Sequence, residues 1–87
     1  MTITVELFGI PRERAGTARL ECAPGRLGDV LADLAARFPR LAGECVTGGR
    51  LQSGYMANLN GQRFVSDPAT VLESGDALLI LSADAGG

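Results

Sequence analysis

Gly86 and Gly87 are the residues of this 87-residue chain with the most evident chemical use. Read as a terminus, Gly87 carries a free α-carboxylate at the tip of a strip without side chains. Glycine has no Cβ, so these last residues form the narrowest peptide available and fit a tight channel. With Ala85 behind it, such a strip can deliver its carboxylate into another protein's active site. A frayed, glycine-rich end would look the same at these positions, because termini are often poorly ordered. The other residues must therefore decide, and few of them compete for chemistry. The chain has no His, which sets aside His-based catalysis and a zinc site. Cys22 and Cys45 are far apart and form no metal-ligand spacing, and two thiols are too few for an iron–sulfur cluster. They read as buried free thiols. All eight basic residues are arginine. Lacking lysine, the chain offers no side-chain amine to attack an acyl-activated carboxylate and builds no lysine-linked chains of itself.

His-based catalysis and cysteine-ligated metal chemistry are therefore not expected. Eighty-seven residues allow one domain. Hydrophobic residues at 46% suffice for a globular core and argue against disorder. Net charge of −2 leaves no basic stripe to neutralise phosphates, so nucleic acid is not an expected partner. The longest apolar run, Ala77 to Leu81, is far shorter than the roughly 20 residues of a membrane span. The start, Met1-Thr2-Ile3-Thr4-Val5, lacks a basic stretch followed by an apolar core. No membrane association is expected, and a cytoplasmic location is.

The elements that must position the tail follow from periodicity. Ile3, Val5 and Leu7 alternate with Thr2, Thr4, Glu6 and Phe8, which predicts a strand with one buried side. Gly9 to Gly16, with Pro11 and two glycines, predicts a connecting loop, and Thr17 to Cys22 a second strand. Leu27, Val30, Leu31, Leu34, Ala35 and Phe38 fall at helical spacing, which predicts a helix from Leu27 to Phe38, ended by Pro39. Arg26 stands at its start, where a Thr cap would be usual. Residues 39 to 50 predict a weaker helical turn. Tyr55 to Leu59, Asn60-Gly61 and Gln62 to Val65 predict a hairpin, and Ala77 to Leu81 a central strand. One helix across a mixed sheet of four or five strands is the economical two-layer solution at this length. If the first and last strands pair in the middle they run parallel, and the fold is the α+β, ubiquitin-like β-grasp. Residues 1–81 then form the domain, and 82–87 a flexible tail able to extend roughly 20 Å.

The chain resembles the MoaD/ThiS sulfur carriers nearly end to end. Phe8-Gly9-Ile10-Pro11-Arg12-Glu13-Arg14-Ala15-Gly16 is similar to the family's first loop, and Leu27-Gly28-Asp29-Val30-Leu31 to its helix start. Asn60-Gly61 resembles its central hairpin, Leu72-Glu73-Ser74-Gly75-Asp76 the turn before its last strand, and Ala85-Gly86-Gly87 its terminus. Each motif alone is common; their order and spacing carry the likeness. The small subunit of molybdopterin synthase belongs to the same group. The stretch Ser82-Ala83-Asp84 lacks the Pro-Pro pair that molybdopterin-synthase members often carry.

The resemblance implies a carrier with no catalytic side chain and no bound cofactor, whose Gly87 carboxyl is the reacting group. A ubiquitin-activating-type enzyme would adenylate it with ATP and Mg, and a persulfide donor would convert it to a thiocarboxylate. A downstream synthase would then take the sulfur, for molybdopterin, thiazole, cysteine or a secondary metabolite. Gly86 and Ala85 would thread the partner's channel. Phe8, Leu79 and Leu81 share a strand phase facing away from the helix, which predicts an apolar contact patch beside the tail; the resemblance points to Phe8 and Leu81 as well. Two alternatives stay open: a protein modifier conjugated through Gly87, and a β-grasp binding module whose terminus has no chemistry.

Overall fold

Residues 1–83 are described by a computed structural model. Their elements run β1 (Ile3–Phe8), α1 (Ile10–Ala15), β2 (Arg19–Cys22), β3 (Gly25–Arg26), α2 (Leu27–Arg37), β4 (Val46–Thr47), β5 (Arg50–Leu51), β6 (Tyr55–Leu59), β7 (Arg63–Val65), β8 (Val71–Leu72) and β9 (Ala77–Ser82). Five strands form one mixed sheet in the order β2-β1-β9-β6-β7. The first and last strands are parallel neighbours at its centre, with Thr4 opposite Ala77 and Phe8 opposite Leu81. This is the β-grasp, and α2 is its main helix.

The apolar stripe of α2 explains why the layers adhere. Leu27, Val30, Leu31 and Leu34 are buried in one cluster with Ile3, Val5 and Leu7 of β1, Ala57 and Leu59 of β6, and Leu78 and Ile80 of β9. Every inward position of β1 and β9 is thus covered by the helix side, as a period of two requires. Arg26 makes no side-chain cap. The first N–H groups of α2 instead donate to backbone carbonyls of the segment around β8: Leu27 to Thr70 at 2.8 Å and Gly28 to Pro68 at 2.9 Å. Those bonds satisfy donors that a helix start otherwise leaves without partners.

The Asn60-Gly61 turn has φ of 56° and 69°, the left-handed pair of a tight hairpin turn. Asn60 also reaches out of its hairpin. Its Nδ2 donates to Asp76 Oδ1 at 3.0 Å, and its Oδ1 accepts from Ala77 N–H at 2.8 Å. Asp76 Oδ2 in turn accepts from Glu73 N–H at 2.8 Å. The Asn-Gly hairpin and the Gly-Asp turn therefore lock each other, and together they set where β9 begins.

Three expectations need correction. Residues 10–15 are not loop but the short helix α1: Pro11 sits in its first turn, and Gly16, at φ 78°, ends it with its N–H on the Arg12 carbonyl. Pro11 is tolerated there because the first helical N–H groups need no intrahelical acceptor. Residues 39–50 are not a helical turn. They form turns that bury Leu41, Cys45 and Val46, then the small ladder β4–β5 through Gly48-Gly49 at φ 59° and 74°. The last strand also continues past Leu81 to Ser82, which is buried, and Ala83 N–H donates to the Gly54 carbonyl at 2.7 Å. The short pair β3–β8 adds a ladder that the sequence reading omitted. Among the described residues no helix is long and apolar enough to cross a membrane.

Candidate functional site

The strand register places the outward side chains of the sheet in rows. Phe8 of β1 lies opposite Leu81 of β9, and Leu81 opposite Met56 of β6. One row further from the chain exit, Arg19, Glu6, Leu79, Asn58 and Phe64 follow one another across all five strands. Phe8 is 49% exposed, Leu79 36% and Phe64 61%, while Leu81 and Met56 are half-buried. These five apolar side chains form a band on the face opposite α2, with the Phe8–Leu81–Met56 row at the end where β9 finishes. Directly opposed side chains on adjacent strands are in contact range, so the band is continuous.

The three expected patch residues, Phe8, Leu79 and Leu81, therefore share one outward face. Gly87, Gly86 and Ala85, expected to react or to thread a partner, lie outside the described residues. The described chain ends beside the patch: Ser82 faces Tyr55 in the ladder, and Ala83 N–H donates to the Gly54 carbonyl, the next residue of the same register.

Met56, Asn58 and Phe64 were not among the expected site residues. The signal for Met56 and Asn58 was present, because Ala57 and Leu59 point inward and the residues that alternate with them must point out. Asn58 has a further feature. Its Oδ1 is shielded from solvent and has no hydrogen-bond partner among the described residues. Buried polar atoms are nearly always paired, so an unpaired carbonyl oxygen between Leu79 and Phe64 is an acceptor without a donor. At the β7 edge a cleft of about 360 Å³ opens among Arg50, Gln52, Tyr55, Met56, Phe64 and Ser66.

The thiols take no part in this face. Cys22 and Cys45 are free and buried, as expected. Burial pushes both thiols up from their usual range, and for Cys45 a hydrogen bond from Tyr55 opposes it only in part. A protonated, enclosed thiol is a poor nucleophile. Among the described residues no group of three His, Cys, Asp or Glu side chains could hold a metal ion.

Known proteins give the geometry a family. The ThiS family profile matches residues 5–87. No curated protein matches the chain. Among solved structures, SAMP1 from Haloferax volcanii superposes with a TM-score of 0.83 at 22% identity, covering 100% of both chains. The HVO 2177 protein of the same organism gives 0.78 at 29% identity, covering 100% of this chain and 87% of its own. The small archaeal modifier protein 1 from Methanosarcina acetivorans gives 0.76 at 26% identity, covering 99% and 96%. With a parallel central pair, one main helix and a profile match that runs through the Gly86-Gly87 end, the chain belongs to the ThiS family of small ubiquitin-fold sulfur carriers.

Proposed function

We propose that this chain carries sulfur as a thiocarboxylate on Gly87. The observation that carries the reading is the family match extending through residue 87, which makes the Gly-Gly end part of the shared pattern. A carboxylate is a poor electrophile because its charge is shared by two oxygens. In an adenylating partner supplied with ATP and Mg, a Gly87 oxygen attacks the α-phosphate and pyrophosphate leaves. The terminal sulfur of a persulfide then attacks the Gly87 carbonyl carbon, and AMP departs with the electron pair. A thiol cleaves the resulting acyl disulfide and leaves the thiocarboxylate, which a downstream synthase consumes. The carrier contributes the carboxyl, the narrow Ala85-Gly86-Gly87 thread and a docking face; it holds no cofactor of its own and acts in the cytoplasm.

The band of Phe8, Leu79 and Leu81, extended by Met56 and Phe64, is the docking face in this reading. A handful of central apolar residues commonly dominates such contacts.

The likeness to an archaeal modifier protein favours a second reading, in which the same activated acyl group passes to lysines of other proteins. The two separate on a denaturing gel of the carrier with its adenylating enzyme, ATP, sulfide and cell protein. Sulfur carriage leaves a single band whose mass alone changes. A ladder of conjugates, lost when a residue is added after Gly87, would replace carriage by modification. If the added residue changes nothing in sulfur delivery or in conjugation, the terminus has no chemistry and the binding-module reading stands.

A further inference from the structure

The outermost strands of a sheet carry main-chain groups with no neighbouring strand, and proteins commonly blunt them. In the main sheet those strands are β2 and β7. Opposed residues of an antiparallel pair alternate between exchanging both main-chain hydrogen bonds and exchanging none. Leu7 N–H donates to the Ala18 carbonyl at 2.8 Å, so Leu20 and Cys22 bond to β1 while Arg19 and Glu21 turn their groups outward. Both of those carbonyls are occupied. The Thr17 hydroxyl donates to the Arg19 oxygen at 3.2 Å, and Arg37 Nη1 to the Glu21 oxygen at 3.1 Å. Arg37 also pairs with Asp33 at 3.0 Å. The β2 edge is guarded.

The β7 edge is open. Asn60 N–H donates to the Ala77 carbonyl and Ala83 N–H to the Gly54 carbonyl, each at 2.7 Å, so the even-numbered residues of β6 bond to β9. Ala57 and Leu59 therefore bond to β7, where Val65 and Arg63 are their partners. Phe64 lies between those two and turns its N–H and C=O to the free side; neither has a hydrogen-bond partner among the described residues. The ladder also stops early. Beyond the Ala57–Val65 pair, Tyr55 and Met56 have no strand partner on that side among the described residues, and the cleft of about 360 Å³ lies there. Its wall is apolar at Tyr55, Met56 and Phe64, and its charge comes from Arg50. Arg50 and Arg63 are exposed and make no ion pair among the described residues. Asp67, the acid nearest β7 in sequence, turns its carboxylate onto the Ala69 N–H at 2.9 Å.

We infer that β7 is a strand-addition edge for an extended, acidic and apolar segment of a partner protein. One residue of that segment exchanges both main-chain hydrogen bonds with Phe64, and the segment becomes a sixth strand of the five-stranded sheet. Main-chain pairing supplies affinity, and the cleft supplies selection. An apolar side chain of the segment enters the cleft against Tyr55 and Met56, and a carboxylate beside it meets Arg50 or Arg63. A basic segment would set like charges against both arginines, which is destabilising across a strand pair. The site uses neither the activation of Gly87 nor the residues after Ala83, so it stands or falls apart from the sulfur-carrier reading.

The experiment screens the full chain against an array of blocked hexapeptides with Asp or Glu at both ends and Val, Ile, Phe or Thr between, beside a matched series with Lys at the ends. The tightest binder is then titrated into nitrogen-15-labelled protein while amide exchange is followed by NMR. The expected binder is acidic and at least about tenfold tighter than its Lys-ended counterpart. The Phe64 amide is expected to exchange fast in the free chain and at least about tenfold more slowly in the complex, with Arg19 and Glu21 unchanged. An array in which no acidic peptide exceeds the Lys series would overturn the inference, as would protection at Arg19 and Glu21 instead. Protection of Phe64 that grows with protein concentration before any peptide is added would make a second copy the occupant and overturn it too. Two variants isolate the main-chain bond. Phe64→Ala and Phe64→Pro both remove the ring, but only proline removes the outward N–H, a position where an edge strand tolerates it. The proline variant is expected to bind about tenfold more weakly than the alanine variant, and equal affinities would refute strand addition. If Phe64→Pro does not fold, the exchange rates of the wild-type amide decide the matter alone. Arg50→Glu is expected to abolish the preference for acidic ends; an unchanged preference would overturn the assignment of an acidic partner.

Discussion

Phe8→Ala separates a docking face from a core. A phenylalanine side chain brings roughly 200 Å² of largely apolar surface. With Phe8 49% exposed, about half of that is still available to a partner. At about 25 cal/mol per Å², burying the free half is worth about 2.5 kcal/mol, close to a 70-fold change in Kd. The half already packed sets the cost to the free protein. Discounted for the alanine Cβ that remains and for contacts the unfolded chain keeps, it comes to about 1 to 1.5 kcal/mol. No cavity forms, because the ring edge is open to solvent. For a domain of this size that is a fall in Tm of about 4 to 12 °C. Leu31→Ala supplies the contrast: Leu31, on the buried side of α2, is 1% exposed, and its truncation should cost about 2 to 5 kcal/mol. The assay is titration calorimetry against a ubiquitin-activating-type adenylating enzyme that accepts the wild-type chain, alongside thermal unfolding of the free variants. Unchanged affinity with a loss of stability matching Leu31→Ala would refute the reasoning and return Phe8 to the core.

Three other outcomes follow from the same geometry. Asn58→Leu should raise the stability of the free chain by about 1 kcal/mol, since it removes an acceptor that is shielded and unpaired; a lower Tm would show that Oδ1 is satisfied in solution. Gly49→Ala should destabilise by about 1 to 3 kcal/mol, because Gly49 sits at φ 74° and a Cβ there would lie 3.2 Å from the Gly28 carbonyl oxygen; urea unfolding decides it. The Asp76 carboxyl is held below its usual 3.8 by donors from Asn60 and Glu73, so its support is complete above that value and is lost as pH falls through its lower folded value. Asp76→Asn should therefore flatten stability against pH on the acid side below about 4, as followed by chemical unfolding at stepped pH.

Much of this architecture was legible because burial imposed a period. Ile3, Val5 and Leu7 alternate because one side of β1 meets α2, and the α2 stripe repeats at three and four because it meets the sheet. Two of the three corrections, those at residues 10–15 and 39–50, share a cause. Glycine and proline punctuate chains, but they do not say what lies between them. Gly9, Pro11 and Gly16 bracket α1, where Pro11 fits the first turn and Gly16 the left-handed end, so the residues that suggested a loop are its boundaries. Gly48-Gly49 is likewise a hairpin turn between Val46-Thr47 and Arg50-Leu51, too short for its strands to show a period. At the site, Phe8, Leu79 and Leu81 follow from strand phase, whereas Phe64 depends on cross-strand register that no local pattern encodes. The unpaired Asn58 oxygen is a property of packing and has no sequence signature.

The central claim is that Gly87 becomes a thiocarboxylate. The measurement that tests it most directly is the intact mass of the chain after incubation with its adenylating enzyme, ATP, Mg and a sulfide or persulfide source, run beside a variant lacking Gly87. The account predicts a mass increase equal to exchanging one oxygen for sulfur in the intact chain and none in the variant. An unchanged mass, with an enzyme shown to be active by its release of pyrophosphate, would contradict it.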